Sequence, residues 1–117
     1  MGRLSTHVLD TSSGRPAAGM QIDFSERDGD HWKLVRTVRT NADGRTDEPL
    51  LAPEAMRTGQ FKLEFHVAAY FLEQGARLPD PPFLDIVPLC FGIGDRAAHY
   101  HVPLLCSPWS YATYRGS

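Results

Sequence analysis

Between Gly59 and Val67 lies the stretch that most restricts what this chain can become. Phe61, Leu63, Phe65 and Val67 alternate there with Lys62, Glu64 and His66. A period of two sends the apolar set to one face of an extended strand and the polar set to the other. Only a second layer can cover that apolar face. The rest of the chain offers layers of the same kind. Leu4 to Leu9 reads as a first strand, with Ser5, His7 and Leu9 on one face and Leu4, Thr6 and Val8 on the other. Met20, Ile22 and Phe24 then alternate with Gln21, Asp23 and Ser25. A third strand, about His31 to Thr40, places Trp32 and Leu34 on one face. Dense turn chemistry separates these runs: Asp10 to Pro16, Asp28-Gly29-Asp30, and Asn41-Ala42-Asp43-Gly44.

Residues 46 to 58 carry Pro49 and Pro53 and read as loop. After Val67 the period changes, and Ala68 to Gln74 predicts a short helix stopped by Gly75. Phe83 to Ile93 is strand-like but contains Pro88, which has no N–H to give a ladder, so this strand belongs at an edge or carries a bulge. Gly94-Asp95-Arg96 turns the chain back, and His99 to Cys106 with Trp109 to Tyr114 forms a last pair of strands around Ser107-Pro108. Seven to eight short strands with one short helix predict an all-β fold, an antiparallel β-sandwich. At 117 residues and 13.0 kDa, the expectation is a single domain over 1–117.

Charge narrows the function classes. With 12 basic and 14 acidic residues, net −2, the chain has no basic surplus to hold nucleic acid or an anionic membrane. No run is long and apolar enough for a transmembrane helix, and Met1 to His7 lacks the apolar core of a signal peptide, so a cytoplasmic protein is expected. Two cysteines, Cys90 and Cys106, are too few for a disulfide framework and read as reduced core thiols.

The final segment is unusual. From Ala97 to Tyr114 there is no Asp, Glu, Lys or Arg, whereas His99, His101, Trp109 and three tyrosines fall inside it. Such a terminus is expected to pack, in the core or against another subunit. Three imidazoles, His7, His99 and His101, would suit zinc. The H-x-H spacing is common by chance, however, and no carboxylate is placed by sequence to complete the set. Neither cysteine has an adjacent cation to make it a thiolate. No G-x-S-x-G elbow is present for a serine nucleophile. What remains is acid–base work on a bound water. His7 or His101 can take and return a proton near neutral pH. Arg45, directly after a turn, offers a fork of donors to a carbonyl oxygen. The Ser117 carboxylate, with a reference pKa of about 3.3–3.7, could orient an imidazole or accept a substrate N–H. Taken singly, each has a plainer reading: a polar strand residue, a solvated cation and a frayed end.

Taken together they form a pattern. Leu4-Ser-Thr-His-Val-Leu-Asp-Thr11 with Gly14 and Pro16, then Asp43-Gly-Arg45, then His99-Tyr-His-Val-Pro-Leu-Leu105 and Tyr114-Arg-Gly-Ser117 resemble the 5-hydroxyisourate hydrolases, the enzymatic branch of the transthyretin-like family. The resemblance spans Leu4 to Ser117. It implies a transthyretin-like sandwich assembled as a homotetramer, a dimer of dimers, with sites where the dimers meet. It implies hydrolysis of 5-hydroxyisourate to 2-oxo-4-hydroxy-4-carboxy-5-ureidoimidazoline, without metal or cofactor. By motif position His7, Arg45, His101 and Ser117 would be catalytic, while His7, Arg45, Tyr114 and Arg115 would hold substrate. His31 and His66 match no site position, and His99 would be structural. The stretch Pro82 to Phe91 departs from the family's Phe-Phe-Pro form. The alternative is a transthyretin-like carrier of a small aromatic ligand, which would have no need of acid–base groups. A third reading, a partner-binding sandwich without a site, leaves those groups unexplained.

Overall fold

The computed structural model describes residues 1–116. In chain order the strands are β1 (Arg3–Asp10), β2 (Arg15–Pro16), β3 (Gln21–Asp28), β4 (His31–Arg39), β5 (Gly59–His66), β6 (Ile86–Ile93), β7 (His99–Cys106) and β8 (Tyr111–Thr113). One helix, α1 (Val67–Glu73), lies between β5 and β6, and a single 3-10 turn spans Pro53–Ala55. The strands form two four-stranded sheets, ordered β2-β1-β7-β8 and β4-β3-β5-β6.

The alternation in β5 does what the sequence demands. Phe61, Leu63 and Phe65 are fully buried and meet Leu4, Val8 and Leu104 of the other sheet in one apolar core. Each such side chain contributes roughly 1.5–3 kcal/mol on leaving water. Phe61 also stacks on Phe24 from β3, ring centroids 5.6 Å apart. α1 buries Val67, Ala68, Tyr70 and Phe71 and ends at Gly75. There Gly75 N–H donates to Leu72 O and Ala76 N–H to Phe71 O, a Schellman closure that needs the φ of +86° at Gly75.

The fold is the expected β-sandwich with antiparallel pairing dominant, and two details differ. The sandwich is not antiparallel throughout: β1 and β7 run parallel, from Arg3 beside His99 to Asp10 beside Cys106. Alternation specifies faces, not direction, and no hairpin joins these two strands to set it. In β4, Trp32 and Leu34 share one face as expected, the outer one, with Leu34 58% exposed, while Val35 and Val38 pack against the core. A register shift between Phe24 and Ser25, opposite Arg36 and Leu34, exchanges the faces. Trp32 sits outside, under the Lys62 ammonium at 4.8 Å. Finally, Cys106 is a buried thiol but Cys90 is exposed. Its strand, β6, is the sheet edge that Pro88 predicts.

Candidate active site

Leu4, Thr6 and Val8 point into the core, so Ser5 and His7 stand on the outer face of the β2-β1-β7-β8 sheet, half-buried. Across the parallel pair Ser5 is the partner of His101, which shares that outer face. The segment after the Asn41–Gly44 turn reaches β1 from its other side, where Arg45 bridges His7. Cross-strand partners have Cβ atoms about 4.5–5.5 Å apart. The sheet therefore brings Arg45, His7 and His101, far apart in sequence, to one patch.

Local chemistry explains how Arg45 arrives there. Asn41 Oδ1 accepts from the N–H groups of Asp43 and Arg45, and Gly44 N–H returns to Asn41 O. Gly44 has φ +74°, and a Cβ there would lie 2.4 Å from Val8 O. Val8 N–H donates to Gly44 O at 2.8 Å, tying the turn to β1. Only glycine combines that φ with so close a backbone approach.

The C-terminal segment is set by β7. Leu104, Leu105 and Cys106 pair with Thr113, Ala112 and Tyr111, and His101 bridges Gly116 on the same register. The ladder breaks between them at Pro103, which has no N–H to offer. The Thr113 hydroxyl donates to Pro103 O instead, at 2.7 Å. Beyond the break Gly116 N–H donates to His101 O at 2.7 Å.

A cavity of about 250 Å³ opens on this face, lined by Arg3, Ser5, Arg45, His99 and His101. Ser5 Oγ lies 2.8 Å from His101 Nδ1. Burial first, then the charge of Arg45 and the proximity of His7, holds His101 below the ordinary histidine pKa. Its ring is neutral at neutral pH. A neutral imidazole beside a permanent guanidinium can move a proton while the cation holds an oxygen's charge.

The remaining site candidates are placed as follows. Tyr114 is 61% exposed, outside the core of this chain. The Arg115 guanidinium stacks over the Tyr100 ring at 4.1 Å and donates to His99 O. It lines a second cavity with Leu89, Phe91 and Val102 rather than the one beside His101. Ser117 lies outside the described residues. The expectation that this segment packs is met in the core by Tyr100, Val102, Leu104 and Cys106 but not by Trp109, Tyr111 and Tyr114, which are exposed. Among the described residues no three His, Cys, Asp or Glu groups are arranged to hold a metal ion. Sequence reasoning missed Ser5 and Arg3. The outward alternation of β1 carries both toward the His7 face, and that alternation was the available signal.

The profile of the HIUase/Transthyretin family matches residues 4–116. The chain belongs to the HIUase/Transthyretin family. Among members with that fold, 5-hydroxyisourate hydrolase 2 of Rhizobium meliloti (strain 1021) is 57% identical over 116 residues, 99% of this chain and 97% of that protein. The crystal structure of (S)-allantoin synthase superposes with a TM-score of 0.92 at 44% identity. The match covers 99% of this chain but 44% of that longer one. Sea bream transthyretin, solved in complex with thyroxine, superposes with a TM-score of 0.86 at 28% identity, over 97% of this chain and 94% of that one. The TM-scores show that these two structures share the fold of this chain.

Proposed function

We propose that this chain is a hydrolase that opens the ring of 5-hydroxyisourate, giving 2-oxo-4-hydroxy-4-carboxy-5-ureidoimidazoline. The observation that carries the reading is that Arg45 and neutral His101 line one open cavity while His7 stands beside Arg45 on the same sheet face. In the proposed reaction one of the two imidazoles takes a proton from water as the water attacks the cyclic amide carbonyl. Arg45 stabilises the oxyanion that develops, a contribution of about 3–4 kcal/mol for one well-placed donor. The proton then passes to the departing ring nitrogen as the C–N bond breaks. General acid–base transfer of this kind contributes roughly 10²–10⁴-fold. Tyr114, Arg115 and Ser117 complete the proposed set, Arg115 reaching substrate only by leaving the Tyr100 ring.

The site lies on an open sheet face with Trp109, Tyr111 and Tyr114 exposed in the same segment. We propose that a second copy covers it, in a homotetramer built as a dimer of dimers with sites at the dimer–dimer interface. Among the described residues no helix is long and apolar enough to cross a membrane, and a cytoplasmic location is proposed. The carrier reading has a specific support, the thyroxine complex of sea bream transthyretin. It gives no role to Arg45, His7 and His101 gathered on one sheet face, and the identity to that protein is about half of that to the Rhizobium hydrolase.

The test generates 5-hydroxyisourate with urate oxidase and follows its decay by ultraviolet absorbance. Added protein should accelerate the decay, and His7→Ala or His101→Ala should remove most of the effect without unfolding the chain. Decay at the spontaneous rate with the unmodified protein would end the hydrolase reading. Sedimentation at micromolar concentration should give four times the chain mass.

A further inference from the structure

We infer that Ser5 and Gly116 are positioning residues that fix the His101 ring from two sides, with the Ser5 hydroxyl donating to Nδ1 so that the ring carries its proton on Nε2. The inference rests on the hydrolase reading above and divides its two histidines between two tasks.

The geometry supplies both sides of the clamp. Ser5 stands beside His101 in the parallel β1–β7 register, with Oγ 2.8 Å from Nδ1. Gly116 is bridged to His101 from the other side of β7. A Cβ at Gly116 would lie 2.7 Å from His101 Cδ2 and 3.2 Å from both Cβ and Cγ. Real Cβ atoms do not come so close, so the backbone of the C-terminal segment lies flat on the Cδ2 edge of the ring. Its φ lies outside the left-handed region. Glycine is needed here for space beside the imidazole rather than for an unusual backbone.

Hydrogen-bond chemistry gives the direction. Among the described residues the Ser5 hydroxyl has no partner other than His101 Nδ1. Among the other groups lining cavities beside Ser5, none of His99, Asp47 and Glu48 makes a hydrogen bond to its hydroxyl, and Arg3 and Arg45 are guanidinium ions that donate only. They can serve the oxygen's lone pairs but cannot accept its proton. Nδ1 is the acceptor on offer. A neutral imidazole has one N–H and one lone pair, so occupying the Nδ1 lone pair places the N–H at Nε2. His101 is thereby a hydrogen-bond donor toward the carbonyl oxygen, beside the Arg45 charge, and the proton for the departing nitrogen is the one taken from water. The base that takes the proton from water is then His7, which bridges Arg45 on the far side of β1.

The test uses the intact protein and two readouts. Long-range proton–nitrogen NMR correlation on the 15N-labelled chain, above the His101 titration, should show Nδ1 as the unprotonated nitrogen. Ser5→Ala should blur that into a mixture of tautomers and lower kcat about tenfold to a hundredfold, with KM within a factor of about two. Ser5→Thr keeps the hydroxyl on a strand position and should restore most of kcat. Gly116→Ala should displace the His101 ring resonances and lower kcat to a similar extent. An Nδ1–H tautomer in the unmodified protein, or kcat unchanged in Ser5→Ala, overturns the inference. Should the unmodified protein fail to accelerate the decay at all, the hydrolase reading falls, while the tautomer measurement still decides the clamp.

Discussion

Substituting alanine at Gly44 tests whether a backbone contact, and not loop chemistry in general, places Arg45. Gly14 provides the control. The two glycines have nearly the same backbone, φ +73° at Gly14 and +74° at Gly44. Their surroundings differ completely. A Cβ at Gly14 meets nothing within 4 Å, whereas one at Gly44 would lie 2.4 Å from Val8 O, 3.1 Å from Pro16 Cβ and 3.3 Å from Ala17 N. Gly14→Ala therefore incurs only the left-handed strain, roughly 1–2 kcal/mol. Gly44→Ala incurs the same strain and must also lift the turn away from β1. Lifting it breaks the 2.8 Å bond from Val8 N–H to Gly44 O. Val8 is fully buried, and an unpaired donor there costs a further 1–3 kcal/mol or so.

The expected loss at Gly44 is about 2–5 kcal/mol, a large share of the 5–15 kcal/mol typical of a domain. Urea unfolding would measure it as a fall in midpoint at unchanged slope. Turnover provides the second axis. Arg45 follows Gly44 directly, and a displacement of 1 Å costs about a hundredfold in a well-oriented reaction. Gly14→Ala should leave turnover near that of the unmodified protein at temperatures where it stays folded. If the two variants match in both unfolding midpoint and turnover, the contact with Val8 does not position Arg45.

Arg45→Met should abolish turnover and raise the His101 titration, because the guanidinium charge is one of the causes that hold it down; NMR titration that finds it unmoved would contradict the shared site. Tyr70→Phe removes the 2.9 Å bond from the Tyr70 hydroxyl to Asp10, a carboxylate only 4% exposed, and should cost about 1–3 kcal/mol at neutral pH. Burial alone would raise the Asp10 pKa, but bonds from Ser12, Tyr70 and Ser13 bring it below the ordinary 3.8. The stability they confer is present above that value and lost as pH falls through the lower folded one, so the gap between Tyr70→Phe and the unmodified protein should close in acid. Burial also pushes the Cys106 thiol up to about 12, so Ellman's reagent should label Cys90 in the native protein and reach Cys106 only on unfolding.

Much of the sandwich could be read from periodicity because faces are a local property. The outward placement of Ser5 and His7, the edge position forced by Pro88 and the stop at Gly75 each depend on a few neighbouring residues. What escaped was set by pairings distant in sequence. The parallel direction of β1 against β7 links residues 96 positions apart, such as Ser5 and His101. The register shift opposite Arg36 and Leu34 exchanges the faces of β4 beyond it and puts Val38 against the core. Arg45 and His101 were picked out by residue type and motif, and their meeting on one wall depends on the same distant register. The side to which Arg115 turns was not legible at all, because Tyr100 offers its ring from the neighbouring strand.

The site is a consequence of backbone pairing as much as of side-chain choice. Arg45 is held through its bridge to His7, His101 through its place beside Ser5, and Gly116 through its bridge to His101. A shift of one residue in the β1–β7 register would carry every outward side chain of one strand to the core. The inner faces oppose such a slip, since Leu4, Val8 and Leu104 are fully buried and Thr6 donates to Val102 O at 2.7 Å. The residues that lock the register are thus the inward partners of the residues proposed to do the chemistry, alternating with them along the same strands. A core substitution such as Val8→Ala should therefore lower turnover beyond what its loss of folded protein explains, because the face it anchors is the face that carries His7.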